Sequence, residues 1–96
     1  MGILDLFRPR WKHSKWEIRE SAVSTLTDQA VLTGIAKTDS KSDVRKAATK
    51  KLTDQTVLAE IARTDTSLWV RVSAVKHLTH QAVLAGIAKT DLVSRP

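Results

Sequence analysis

LTDQTVLAEIARTD, residues 52–65, has two close variants in the same chain: LTDQAVLTGIAKTD at 26–39 and LTHQAVLAGIAKTD at 78–91. The offset is 26 residues each time, with no insertion. A fixed period in this range marks a stacked repeat protein, because one such unit cannot bury its apolar face alone and its neighbours must cover it. Within each variant the apolar residues fall at helical spacing. They are Val31, Leu32, Ile35 and Ala36, then Val57, Leu58, Ile61 and Ala62, then Val83, Leu84, Ile87 and Ala88.

Outward from these stretches lies a second stripe, upstream in each unit: Ile18, Ala22 and Leu26; Val44, Ala48 and Leu52; Val70, Ala74, Val75 and Leu78. Residues at i, i+4 and i+8 share one face of a helix, so each unit reads as two short helices joined by a tight turn. The expected fold is all-α, an α-solenoid of three two-helix repeats at 14–39, 40–65 and 66–91, with a short cap at 1–13 and a tail at 92–96. Ala22, Ala48 and Ala74 allow neighbouring helices to approach closely, while Leu and β-branched residues fill the space between them. A terminal repeat has one face without a neighbour, and Leu4, Phe7 and Trp11 are expected to cover the first.

Local signals support the same division. Ser14 with Glu17, and Ser40 with Asp43, have the spacing of a capping box. Thr27 is placed to cap a second helix, with Asp28 in its first turn near the positive end of the dipole. Lys46, Lys50 and Lys51 are expected on the outer face. The third repeat departs in two places: Trp69 stands where the others have Glu17 and Asp43, and His80 replaces Asp28 and Asp54.

Composition narrows the function classes. The 96 residues make one domain with a modest core. The absence of Cys excludes disulfides, thiolate metal sites and Cys nucleophiles, and it points to a cytoplasmic setting. No apolar run approaches the roughly 20 residues that a bilayer demands. The opening MGILDLFRPRWK has too short an apolar stretch and the wrong charge order for a signal peptide. Leu6 stands where a myristoylation signal takes Ser or Thr. The net charge of +6 suits an acidic partner, and it also confers solubility.

The recurring residues also carry a resemblance. An apolar–Arg pair (Ile18-Arg19, Val44-Arg45, Val70-Arg71) is followed by Ala, Leu, a Thr/Asp turn, Val-Leu, Ile-Ala and a closing Asp such as Asp39 or Asp65. This unit resembles short HEAT-like repeats and is similar to the leucine-rich repeat variant, over about residues 14–91. The resemblance implies short helices stacked into a superhelix. It also implies a polar ladder between adjacent units, pairing Asp39 with Arg45 and Asp65 with Arg71. The variant-repeat family can carry a Cys-bound cluster, which this chain has no Cys to hold. Independently of the resemblance, Arg19, Arg45 and Arg71 fall in first helical turns, where a cation opposes the dipole and calls for a counter-charge.

No arrangement suggests an enzyme. His77 and His80 straddle the expected turn without carboxylates to complete a metal site, so they read as a solvated pair. Ser and Thr are accounted for by caps, Gly34 and Gly86 are isolated in second helices, and no cofactor is implied. Lys37, Arg63 and Lys89 occupy one position in three successive second helices. They form either a basic row on the concave face or a set of dipole-complementing last-turn cations. Trp69 is either a partner anchor or a cover for the end of the stack. The expected function is a non-enzymatic scaffold for protein–protein interaction. The alternative is a nucleic-acid-binding module using the basic row with Lys46, Lys50 and Arg10; a minimal or truncated array is a third reading. Self-association through the third repeat is a further expectation.

Overall fold

The computed structural model describes residues 8–84, and among them every regular element is helical. A 3-10 helix (Arg10–Lys12) precedes α1 (Trp16–Val23), α2 (Gln29–Thr38), α3 (Ser42–Thr49), α4 (Gln55–Thr64) and α5 (Leu68–Leu84). The 26-residue period reappears in the helix starts, at Trp16, Ser42 and Leu68 and again at Gln29 and Gln55. α1 packs beside α3 and α3 beside α5, while α2 packs on α3 and α4 on α5. The 3-10 helix lies against α1. The closest packing therefore falls across the boundaries between sequence units, not within them.

One core runs through these contacts. Val23, Leu32, Ile35, Ala36, Val44, Ala48, Leu52, Leu58, Ile61, Val70 and Ala74 form a single buried cluster, with Trp11, Trp16, Leu26 and Leu78 packed at its edge. Burying a Leu such as Leu52 or Leu58 contributes roughly 1.5–3 kcal/mol. Of the buried alanines, Ala22, Ala48 and Ala74 belong to the first helices, which pack beside one another, and Ala36 to α2.

The helix ends differ from the sequence expectation. Asp28, not Thr27, is the N-cap of α2, its carboxylate accepting from the N–H groups of Ala30 (2.9 Å) and Val31 (3.2 Å). Asp54 does the same for α4, toward Thr56 (2.8 Å) and Val57 (3.2 Å). The capping boxes do not form: the N-cap positions of α1 and α3 are Lys15 and Lys41, without a side-chain cap bond. Asp is the stronger N-cap of the two, and its negative charge also suits the positive end of the helix dipole.

The larger correction lies in the third unit. α5 runs unbroken through Leu78, Thr79 and His80, where a turn between two helices was expected. The reason is at His80. The other two turns are each followed by an Asp that satisfies the first amides of a new helix, and an imidazole at this position is no substitute. Without the cap, continuing the helix is the cheaper way to satisfy those amides. Residues 85–96, with Gly86, Ile87, Ala88, Lys89, Leu92, Val93 and Pro96, lie outside the described residues, as do Leu4 and Phe7.

Candidate functional site

The repeated Arg and Asp residues make a ladder along the junctions. Arg19 binds the Asp39 carboxylate through two bonds, Nε to Oδ2 at 2.9 Å and an Nη to Oδ1 at 3.1 Å. Arg45 binds Asp65 in the same way, at 3.0 and 3.1 Å. The expected partners meet differently: Arg45 donates to the backbone carbonyl of Asp39 at 2.8 Å, and Arg71 to that of Asp65 at 2.7 Å. Arg19 and Arg45 thus each hold a carbonyl behind and a carboxylate ahead, and for Arg71 the described contact is the carbonyl behind. An arginine presents its donors in a rigid planar fork that meets both carboxylate oxygens while still reaching the carbonyl, a geometry a lysine ammonium cannot match.

The ladder begins one rung before the sequence suggested. His13 lies 26 residues ahead of Asp39. Its carbonyl accepts from Arg19 at 2.9 Å, and its Nδ1 accepts the Lys15 N–H at 3.0 Å. The Asp39 and Asp65 side chains accept from Lys41 (2.9 Å) and Ser67 (2.8 Å) by the same geometry. His13 is a stand-in for the closing residue of a preceding unit. Period alone could have found it. Burial pushes the Asp65 carboxyl up, but the Arg45 hydrogen bonds, the Ser67 N–H and the charges of Arg45 and Arg71 outweigh it and hold it below its ordinary 3.8.

A second set of contacts was not anticipated. Lys51, expected on the outer face, turns its ammonium onto the end of α1, donating to the carbonyls of Val23 (2.9 Å), Ser24 (3.0 Å) and Leu26. His77 holds the same register one unit later, and its Nε2 lies 2.6 Å from the Leu52 carbonyl. His77 is therefore half-buried and engaged, not half of a solvated pair, while His80 is exposed. Gln29 reaches the same turn, donating to the Lys51 carbonyl (3.0 Å) and accepting from Thr53 N–H (3.1 Å). These helix-end contacts involve the free carbonyls and amides that every helix terminus leaves.

The basic row is not bare. Lys37 pairs with Glu60 of α4 at 3.0 Å, Arg63 is exposed, and Lys89 lies outside the described residues. Because Glu60 stands in the unit-two register of Gly34, the acid that interrupts the row is a feature of the second unit only.

Two grooves adjoin along α2, one toward α4 and one toward the 3-10 helix, with Thr38 and Asp39 lining both. One, of about 370 Å³, is polar and lined by Lys37, Arg45, Glu60, Thr64 and Asp65 among others. The other, of about 420 Å³, is apolar, with Trp11, Ala30, Val31, Gly34 and Ile35 in its walls. A Cβ added at Gly34 would meet nothing within 4 Å, so this glycine leaves open space. Trp69 and its neighbour Leu68 are exposed at the start of α5, whereas Trp16 is half-buried with the Lys41 ammonium 4.6 Å from its ring centre.

Among the described residues no three His, Asp or Glu side chains are grouped to hold a metal ion, and no helix is long and apolar enough to cross a membrane. No known protein family, curated protein or solved structure matches the chain.

Proposed function

We propose that this chain is a short HEAT-like α-solenoid acting as a non-enzymatic scaffold in the cytoplasm, and that it binds a protein segment along α2, between the 3-10 helix and α4. The observation carrying this reading is the pair of adjoining grooves, apolar around Gly34 and Trp11 and charged around Lys37 and Glu60. Binding sites of this kind use an apolar pocket for an anchor and a few polar groups for orientation. The segment that fits carries one bulky apolar side chain for the open space at Gly34, beside an acidic residue for Lys12 in the same groove.

Gly34 supplies a clean test. Because nothing blocks a side chain there, Gly34→Glu fills the groove without disturbing the core, and removing a mid-helix glycine favours α2. Peptides selected from a random library against the wild-type protein should share an apolar anchor flanked by an acid. Their affinity by fluorescence anisotropy should fall at least about tenfold in Gly34→Glu. Peptides binding both proteins equally would sink the reading. The nucleic-acid alternative draws on the net charge of +6, but Glu60 neutralises Lys37 in the row that it needs. DNA and RNA titrated at low and near-physiological salt decide it. Salt-steep binding, lost on changing Lys37, Arg63 and Lys89 to Glu, would replace the peptide reading.

A further inference from the structure

α5 has two apolar sides. Val70, Ala74 and Leu78 face the core, while Leu68 and Val75 lie open at 57% and 51% exposure, with Val72 half-buried between them. The registers of the earlier helices show what kind of surface this is. Val23 in α1 and Thr49 in α3 hold the same place as Val75, and they are 1% and 0% exposed. Each belongs to a helix with the next first helix packed beside it. The open side of α5 continues an interface that the chain has already formed twice. It is also more apolar than its predecessor, since Leu68 and Val75 replace Ser42 and Thr49.

Among the described residues, the opposite end of the array offers no matching surface. There the 3-10 helix packs on α1, Trp11 joins the edge of the core, and His13 supplies the rung that a preceding unit would. Head-to-tail stacking, which would pair the open α5 with the free side of α1, is therefore blocked. A face that is open at one end only can be covered by its own copy, and such isologous contacts close at two subunits.

We infer that two copies of this chain pair through α5, antiparallel and about a two-fold axis beside Val72. Leu68 and Val75 are seven residues apart, as are Trp69 and Lys76, so each pair lies along one stripe of the helix. The two-fold sets Leu68 against Val75 of the partner subunit, and Trp69 against the partner subunit's Lys76. The second contact places an ammonium and its apolar stem on an indole face, which removes the largest exposed aromatic from water without opposing like charges. None of the residues involved lines the grooves on α2 and α4, so the inference stands apart from the peptide-binding reading. The contact is small, a single helix on a single helix, and belongs among weak interfaces.

The chain contains no Cys, which makes the test direct. Sedimentation equilibrium over about 1 µM to about 1 mM brackets such a weak interface and should show a monomer–dimer equilibrium that stops at the dimer. Val75→Glu and, separately, Trp69→Lys, which sets a like charge against Lys76 of the partner subunit, should shift it at least about tenfold toward monomer while helicity by circular dichroism is unchanged. Under mild oxidation Val72→Cys should give a covalent dimer, because only a two-fold contact brings a residue against itself; Ser24→Cys should not. A protein monomeric throughout, one that grows beyond the dimer with concentration, or a dimer indifferent to both substitutions would overturn the proposal.

Discussion

Arg45 joins three groups at once: the Asp65 carboxylate, the Asp39 carbonyl and, at 3.4 Å, the Thr66 hydroxyl. Its side chain and that of Asp65 are only 12% and 6% exposed. Removing one partner of such a pair strands the other, so Arg45→Ala should cost about 3–5 kcal/mol in denaturant unfolding. Arg45→Lys should recover little of it, because an ammonium cannot present the two-pronged fork. The pH dependence follows from Asp65. A carboxyl held below its unfolded value contributes stability that is complete above about 4 and is lost as pH falls through the lower folded value. Asp65→Asn should therefore be less stable at pH 7 and show a flatter stability profile in acid, as read from urea midpoints between pH 2 and 7. Lys37 and Glu60 are a contrast: at 38% and 42% exposure their pairing is screened by solvent, and Glu60→Gln should shift stability by less than about 1 kcal/mol.

At the scale of the element, the question is why two turns form and a third does not. Each formed turn is followed by an Asp cap, and the first has in addition a cation from the next unit on its carbonyls. His77 contributes its one contact to the second turn, on Leu52. Gln29 bonds to the exposed backbone at Lys51 and Thr53, whereas Gln55 finds no such turn ahead of it and bonds to the Thr53 carbonyl instead. An N-cap contributes about 1 kcal/mol, while His and Asp have similar helix-interior propensities, so the balance turns on the cap. His80→Asp should therefore break α5 near Thr79 and start a separate helix at Gln81. Backbone chemical shifts of residues 77–82 would leave helical values if so, and they would stay helical if the cap is not the cause.

At the scale of the whole molecule, the single core cluster reaches from α1 to α5. Two of its alanines, Ala48 and Ala74, belong to first helices, and Ala48 lies in α3, which has α1 on one side and α5 on the other. Ala48→Leu should force both junctions apart and cost about 1–3 kcal/mol or more. Because the junctions share one core, the loss should appear as a lower midpoint of one cooperative thermal transition, not as a separate early step. Two resolved transitions would mean that the units unfold independently.

The 26-residue period, the helical spacing of the apolar residues and the small alanines were all in the sequence, and they determined that the chain is helical and where its core residues lie. These are local and periodic properties, legible because each unit repeats the same solution. The rungs were half legible. Arg and Asp announced a ladder, but carboxylates and carbonyls are equally good acceptors, and only the packing of α2 on α3 and α4 on α5 decided which Arg takes which. The approach of the Lys51 ammonium to the end of α1 was decided likewise, since it joins residues far apart in the chain. The fusion of α5 has its sequence signal at His80, where the other two units carry Asp, although the apolar pattern on either side of it keeps to the period. The grooves beside Gly34 and the open side of α5 belong to tertiary structure alone, because exposure is set by what is packed alongside and not by any residue's own chemistry.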